Sequence, residues 1–403
     1  MPPIRAADLR RAVLWAAALL LVSWVAVSAG IWLGNRYVQR GPGHPGYAGV
    51  QADLFRFDAS QYKSIADEGY VYNGDPYSGP NIVFAPLYPM LVRLASRVTG
   101  VNTLAAGFAL NKVLFFLALA LLFLCLREWI GQARAIFVLA AMATAAGSYA
   151  FHAYYTESTF LFFLGLGLLA YARGWWAVTA VAAAALGASR LTGLPIALVF
   201  AGLLCLQIRE EHGPRRWRFV AYALFCLAGA AAYLIVIGMK FGNPFALLDT
   251  IQRASWGRFH RDTDWLRLLT GGYLFEYWGE AFRRGPHTVR DIPTLNLLWM
   301  TLGLASVVYL VVVWRRHLLT YVFAPYVLMV YYTNITSHIL GSVHRYFTLI
   351  FPIFMMFADL HRWLARRVSP ILAWAVSGVL LALNCAYGLL HTAAFNQGVW
   401  FWF

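Results

Sequence analysis

The chain has 403 residues, of which 61% are hydrophobic and 12% charged, against about 45–50% apolar and about 25% charged in soluble domains, so a soluble globular protein is excluded. Its formal charge of +15 fits nucleic acid, anionic lipid or membrane-topology signals, and only the placement of the basic residues separates these. Cys125, Cys205, Cys226 and Cys385 all fall in apolar runs without CxxC spacing, which argues for core-filling thiols and against a redox pair or metal knuckle.

A membrane span needs about 20 mainly apolar residues. The apolar runs predict about eleven spanning helices, near residues 13–34, 104–126, 135–152, 158–172, 175–189, 193–208, 219–239, 294–314, 318–336, 346–361 and 370–391. The first run is too long for the apolar region of a signal peptide and reads as a retained anchor. With the N-terminus cytoplasmic, the short basic clusters all fall on one side: Arg5, Arg10 and Arg11; Arg127 and Arg134; Arg173; Arg209, Arg215, Arg216 and Arg218; Arg315 and Arg316; Arg362, Arg366 and Arg367. That is the positive-inside pattern. The expectation is one membrane domain, 1–403, with N-terminus cytoplasmic and two long exoplasmic loops, 35–103 and 240–293.

Both loops interleave aromatic residues with charge, which suits helices lying in the membrane interface. Their basic residues then face phosphate-bearing membrane lipids rather than nucleic acid. Arg283, Arg284 and Arg290 read as headgroup contacts. No fixed-period repeat or low-complexity linker divides the chain.

The first loop carries FDASQYKSIADEGY, residues 57–70. Tyr62, Ile65, Ala66 and Gly69 recur at helical spacing, with Lys63, Asp67 and Glu68 off that face. Asp58 would stand at the N-cap and Gln61 three residues on, close to a capping box. The same carboxylate is also placed to accept a proton from a hydroxyl at the membrane surface. Downstream, Pro86 and Pro89 bracket Leu87 and Tyr88, which predicts a bend near the interface. Glu157 opens a span, where the helix dipole favours an acid; the alternatives are a contact to a sugar or a pair with Arg190. Arg190 and Arg345 stand at the edges of apolar runs, where a charge is costly and usually has a partner, with snorkelling as the alternative. The histidines show no metal spacing, there is no cluster of carboxylates for a divalent ion, and no metal or other cofactor is expected. Asn334-Ile335-Thr336 matches a glycosylation sequon by chance, since it lies in an apolar run.

FDASQYKSIADEGY followed by FAPLYP resembles the first exoplasmic loop of the PIG-V-type mannosyltransferases and their bacterial relatives. YTES (residues 155–158), SRLTG (residues 189–193) and Gln252 with Trp256 resemble further segments of that family in the same order. Phe57 stands where the family has Trp, Ala85 where it has a second Phe, and Leu191-Thr192 where it has Ser-Asn. The resemblance implies an all-α polytopic membrane enzyme of the GT-C glycosyltransferase type in a bacterial inner membrane. Its donor would be a polyprenyl-phosphate-linked sugar, most simply mannose, its acceptor a lipid or glycan, and its catalytic residue Asp58. Within that reading Arg190, Arg345, His344, Lys63, Arg253 and Arg258 are the candidate cations for the donor phosphate. Glu157, Tyr88, Gln252, Trp256 and Gln61 are the candidates for holding sugar or acceptor. A transporter or flippase for a phosphate-bearing lipid is the rival reading, since charges among spans also mark transport pathways, and a non-catalytic assembly subunit follows if Asp58 is only a cap.

Overall fold

The computed structural model describes residues 3–40, 53–209, 213, 216–253, 264–284, 292–335 and 343–398. Among them there is no β-strand, and each of the eleven apolar runs is wholly or largely helical. Five helices are long and apolar enough to cross a membrane: α1 (Ala6–Tyr37), α4 (Thr103–Ile130), α14 (Ile292–Val313, its apolar stretch beginning at Asn296), α15 (Leu318–Ile335) and α18 (Pro370–Asn396). A sixth arises if α9 (Arg216–Phe225) and α10 (Ala228–Phe241), bent by 47° at their junction, form one span. The chain is a multi-pass, all-helical membrane protein.

The remaining predicted spans are shorter than the sequence pattern suggests. Residues 135–152 divide into α5 (Gln132–Ala143) and a 3-10 turn, Ser148–Phe151. The segments α6 (Glu157–Arg173), α7 (Trp176–Ser189) and α8 (Leu194–Gln207) have 14 to 17 residues. Residues 346–361 divide between α16 (Val343–Thr348) and α17 (Pro352–Arg367). Pro352 is tolerated at the first turn of α17 because the missing N–H would have no partner there.

Local chemistry sets several boundaries. Asn102 caps α4 by accepting from the Ala105 N–H at 2.9 Å, and Ser369 caps α18 by accepting from Leu372 N–H at 3.5 Å. The helices pack as α1 against α18 and α4, and α4 against α6, which in turn packs on α7. At Gly34 a Cβ would lie 2.6 Å from the Ala393 carbonyl oxygen, so the missing side chain lets the backbones of α1 and α18 approach.

The two long loops fold into helices at the same end of the bundle. The first contains α2 (Ala59–Asp67), a 3-10 turn Asn81–Val83 and α3 (Leu87–Thr99). The second contains α11 (Ala246–Arg253), α12 (Trp265–Leu269) and α13 (Gly272–Arg284). Helix α11 packs on the Asn81–Val83 turn, and α10 joins it there: Tyr233 donates to the Ile82 carbonyl and Lys240 donates to the Tyr70 carbonyl at 2.5 Å. Outward, α3 leaves Met90, Leu94 and Val98 exposed at four-residue spacing, the apolar stripe of an interfacial helix.

A valine at position 34 forces the close α1–α18 contact apart. Gly34→Val should lower stability by about 1–3 kcal/mol, read as a fall in the thermal midpoint of the detergent-purified protein; an unchanged midpoint would contradict this packing.

Candidate active site

Asp58 begins α2 with helical backbone angles, φ −58° and ψ −18°, and its side chain makes no capping bond. An effective N-cap adopts extended angles, so that its oxygen reaches back to the N–H groups two or three residues on; Asp58 is turned away from them. The expected capping box is therefore absent, and Gln61, partly exposed, is no member of one. The preceding residue explains the turn. Phe57 has φ 51°, the one positive value for a non-glycine residue among the described residues, a conformation that costs about 1–2 kcal/mol. Its ring packs on Phe395 with centroids 5.5 Å apart, and its carbonyl accepts from Ser60 Oγ at 3.0 Å.

The Asp58 carboxylate instead meets Arg345. Arg345 Nη2 donates to Asp58 Oδ2 at 2.9 Å, and Arg345 Nε lies 3.1 Å from Glu157 Oε1. The same Glu157 oxygen lies 2.5 Å from Arg190 Nη1, which also donates to Thr156 Oγ1 at 3.2 Å. These four charged residues are 2–7% exposed. Two guanidinium and two carboxylate groups balance formally, which permits such burial; an isolated charge there would be strongly disfavoured.

Each member is held by its own segment. Arg190 ends α7 in extended backbone, φ −159° and ψ 149°, just before the tight turn Leu191–Gly193. Glu157 opens α6 after the irregular, buried segment 144–156. That segment is fixed by Gly147 N–H donating to Thr348 Oγ1 at 3.0 Å, by Tyr155 Oη donating to the Arg56 carbonyl at 3.1 Å and by Ser158 Oγ donating to the Phe151 carbonyl at 2.8 Å. Gly147 is required because a Cβ would sit 2.8 Å from Arg345 Cα. Arg345 lies on α16, and its guanidinium covers the Tyr155 ring at 4.7 Å, while that of Arg190 covers Tyr346 at 4.5 Å. Such contacts favour a cation held away from water.

A cavity of about 100 Å³ opens onto this cluster, lined by Asp58, Arg190, Arg345, Tyr62, Thr192 and Tyr346, with Phe84, Ala85 and Ile251 among the apolar walls. Burial pushes the Tyr62 phenol above its ordinary range, so it presents a protonated hydroxyl at neutral pH. Glu157 stands behind the wall and joins the two arginines.

Of the candidates drawn from the sequence, Asp58, Glu157, Arg190 and Arg345 come together. Others are placed elsewhere. Tyr88 is fully buried beneath the loop, accepting from Asn111 Nδ2 at 3.2 Å and donating to the Gly107 carbonyl at 3.3 Å. His344 adjoins Arg345 but bonds with Tyr149 Oη at 3.0 Å and Asn296 Oδ1 at 3.1 Å, because successive helical residues face about 100° apart. Lys63 pairs with Asp67 at 2.5 Å on the outer face of α2. Gln252 and Arg253 belong to α11, whose Ile251 reaches the cavity; Trp256 and Arg258 lie outside the described residues. Asn334 is buried in α15, with Nδ2 donating to the Val330 carbonyl at 2.7 Å, while Thr336 lies outside the described residues. Among the described residues no three of His, Cys, Asp or Glu gather as a ligand set.

Tyr155 and Thr156, within the YTES segment, and Tyr346 have no site role in the sequence analysis. Thr156 directly precedes Glu157, Tyr155 stands two residues before it and Tyr346 directly follows Arg345, and that closeness to candidate charges is the available signal.

No family model matches the chain, and no curated protein matches it. Solved structures similar to it include the Archaeoglobus fulgidus oligosaccharyltransferase tethered with an acceptor peptide, at 14% identity and TM-score 0.48, covering 95% of this chain and 55% of that one. The same organism's AglB in complex with an inhibitory peptide and a dolichol-phosphate matches at 15% identity and TM-score 0.46, covering 96% and 56%. ArnT from Cupriavidus metallidurans bound to undecaprenyl phosphate matches at 14% identity and TM-score 0.42, covering 96% and 76%. The chain spans about half the length of the archaeal enzyme. These likenesses are too distant to bear on function.

Glu157→Gln takes the paired carboxylate from Arg190 and leaves Arg345 with Asp58 alone, so it should cost about 3–5 kcal/mol. Asp58→Asn, which retains an acceptor for Arg345, should cost less. Thermal unfolding in detergent distinguishes them, and equal losses would contradict Glu157 as the shared counterion.

Proposed function

We propose that the chain is a membrane glycosyltransferase of the GT-C type, with a first loop that resembles that of the PIG-V mannosyltransferases. It moves a sugar, mannose by resemblance, from a polyprenyl-phosphate donor to a lipid or glycan acceptor with inversion at the anomeric carbon. The observation that carries this reading is the Asp58 side chain. It forgoes the helix cap its position offers and faces a cavity beside two buried arginines.

In this reading the acceptor hydroxyl oxygen attacks the anomeric carbon while Asp58 accepts its proton. The bond from that carbon to the phosphate oxygen breaks, and polyprenyl phosphate departs with the electron pair. Charge grows on the leaving oxygen, so cations already in place beside it lower the barrier more than contacts to neutral hydroxyls do. Arg190 and Arg345 both line the cavity and supply that charge, each with a planar fork of N–H groups suited to phosphate oxygens. Tyr62 and Thr192 supply neutral hydroxyls on the wall for sugar or acceptor. The chemistry assigned here uses side chains alone. The positive-inside distribution of arginines supports an exoplasmic position for this end of the bundle, and the bacterial inner membrane follows from the resemblance.

Asp58→Asn in the purified protein should lower sugar transfer by about 10²- to 10⁴-fold with donor binding retained, while Arg345→Lys should weaken donor binding. Product is scored by mass spectrometry against a panel of polyprenyl-phosphate sugars and glycolipid acceptors. Undiminished turnover in Asp58→Asn rejects the base assignment. Translocation of the lipid-linked sugar without any product would replace this reading with that of a carrier.

A further inference from the structure

The pair at the cavity, Asp58 and Arg345, is carried by two segments that cannot hold themselves in place. Arg345 lies on α16, a helix of six residues, well below the length of about 12–15 at which a helix is marginal alone. Asp58 follows Phe57, whose left-handed backbone persists only where its surroundings over-determine it. The placement of both side chains therefore comes from groups behind the cavity wall.

On the Arg345 side the connection runs through the preceding residue. His344 is fully buried, with Nδ1 3.1 Å from Asn296 Oδ1 and Nε2 3.0 Å from Tyr149 Oη. A neutral imidazole has one donor and one acceptor, and the amide oxygen can only accept. His344 therefore donates from Nδ1 to Asn296, and its Nε2 accepts from the Tyr149 hydroxyl. The segment that carries Tyr149 grips the far end of α16 as well: Gly147 N–H donates to Thr348 Oγ1 at 3.0 Å, and Thr348 Oγ1 donates to the His344 carbonyl at 2.8 Å.

On the Asp58 side the connection runs through rings. The Tyr149 ring stacks on Phe395 with centroids 4.2 Å apart and planes at 26°, and Phe395 packs on Phe57 at 5.5 Å. Such offset and tilted ring pairs have a preferred geometry, so they orient as well as fill. Tyr149 thus holds the residue before Arg345 with its hydroxyl and, through one intervening ring, the residue before Asp58 with its face. Tyr149 and Phe395 are buried and neither lines the cavity, so whatever they contribute passes through Asp58 and Arg345.

We propose that Tyr149 is a positioning residue for the transfer reaction, its hydroxyl setting Arg345 through His344 and its ring setting Asp58 through Phe395 and Phe57. The inference rests on the reading above, in which Arg345 holds donor phosphate and Asp58 accepts the acceptor proton. The two ends of the tyrosine then serve different steps. Loss of the hydroxyl frees the imidazole and loosens α16, so the donor is held less well. Loss of the ring stack frees Phe57, so the carboxylate is aimed less well, and a small misplacement of a reacting group is costly in rate. Arg345 keeps its platform in that case, because Tyr155 is held by its own hydroxyl bond to the Arg56 carbonyl. A residue that only filled space would not divide in this way; its removal would affect both steps alike.

The test is steady-state kinetics on the full chain in detergent, with a polyprenyl-phosphate sugar as donor and a glycolipid as acceptor. Tyr149→Phe, which keeps the ring and loses the hydroxyl, should raise the donor KM about five- to tenfold and leave kcat within about twofold of wild type. Phe395→Leu, which loses the stack and keeps the hydroxyl bond, should lower kcat about tenfold or more and leave the donor KM within about twofold. Tyr149→Leu should show both losses, with the phenylalanine variant recovering kcat alone; should the leucine variant not fold, the two single-ended variants carry the test. An unchanged donor KM in Tyr149→Phe, or the same parameter altered in both single-ended variants, overturns the inference while the transfer reading stands. A wild type that moves no sugar from any donor of the panel overturns that reading and the inference with it.

Discussion

The architecture of the site depends on one guanidinium placed between two carboxylates. Arg345 contacts Asp58, 287 positions away in the chain, and Glu157. Neither acid nor base is tolerable alone at that depth, so the three segments that carry them are stable only when assembled together. The first loop, the irregular segment before α6 and the short helix α16 are thereby tied to one point. Arg190 joins through the shared Glu157 oxygen and brings in the end of α7. The cavity is the space left where these four segments meet beneath α11 and the Asn81–Val83 turn.

This constraint accounts for local features that otherwise look unfavourable. Phe57 adopts a left-handed backbone, and Asp58 leaves the N–H groups at the start of α2 without a side-chain cap. Both costs are of the order of 1 kcal/mol, smaller than the several kcal/mol lost when a buried arginine loses a counterion. The chain therefore gives up helix capping to complete the charge cluster. The same comparison explains why residues 144–156 remain irregular in a bundle of helices. A continuous helix there would carry Glu157 along one axis with α5, whereas the 3-10 turn and its side-chain hydrogen bonds bring the acid under Arg345.

Glu157, Arg190 and Arg345 were legible because charges at the margins of apolar runs stand out against their surroundings, and Asp58 because it opens the polar stretch FDASQYKSIADEGY that carries the resemblance. Which role each would take was less legible. Spacing placed Asp58 at a helix start, but the backbone angles that decide whether it caps depend on Phe57 packing against Phe395, a contact made across almost the whole chain. Tyr88 and His344 sit in suggestive sequence neighbourhoods, yet the helix turn directs one beneath the loop and the other away from Arg345. Each apolar run is wholly or largely helical, but hydropathy is blind to where a run changes axis and to the helices of the two long loops. Residues 135–152 and 346–361 each divide into two short pieces, and among the described residues five or six helices are long and apolar enough to cross a membrane uninterrupted.

The charge balance also constrains how a donor would have to bind. In the structure both arginines are already matched, Arg345 by Asp58 and Glu157 and Arg190 by Glu157. A phosphate entering the cavity would add negative charge to a balanced group, which a poorly screened site resists unless an existing pair loosens. Glu157 is the worse one to release, because it stands behind the wall and holds two arginines. Asp58 faces the cavity and holds one, and its contact to Arg345 is the one a phosphate oxygen can replace with the least rearrangement. On the proposed reading, the interaction that orients Asp58 toward Arg345 is then the same one that donor phosphate displaces. The carboxylate becomes available to an acceptor hydroxyl only once the sugar to be transferred is in place. A base coupled to the donor in this way limits idle contact between the carboxylate and water.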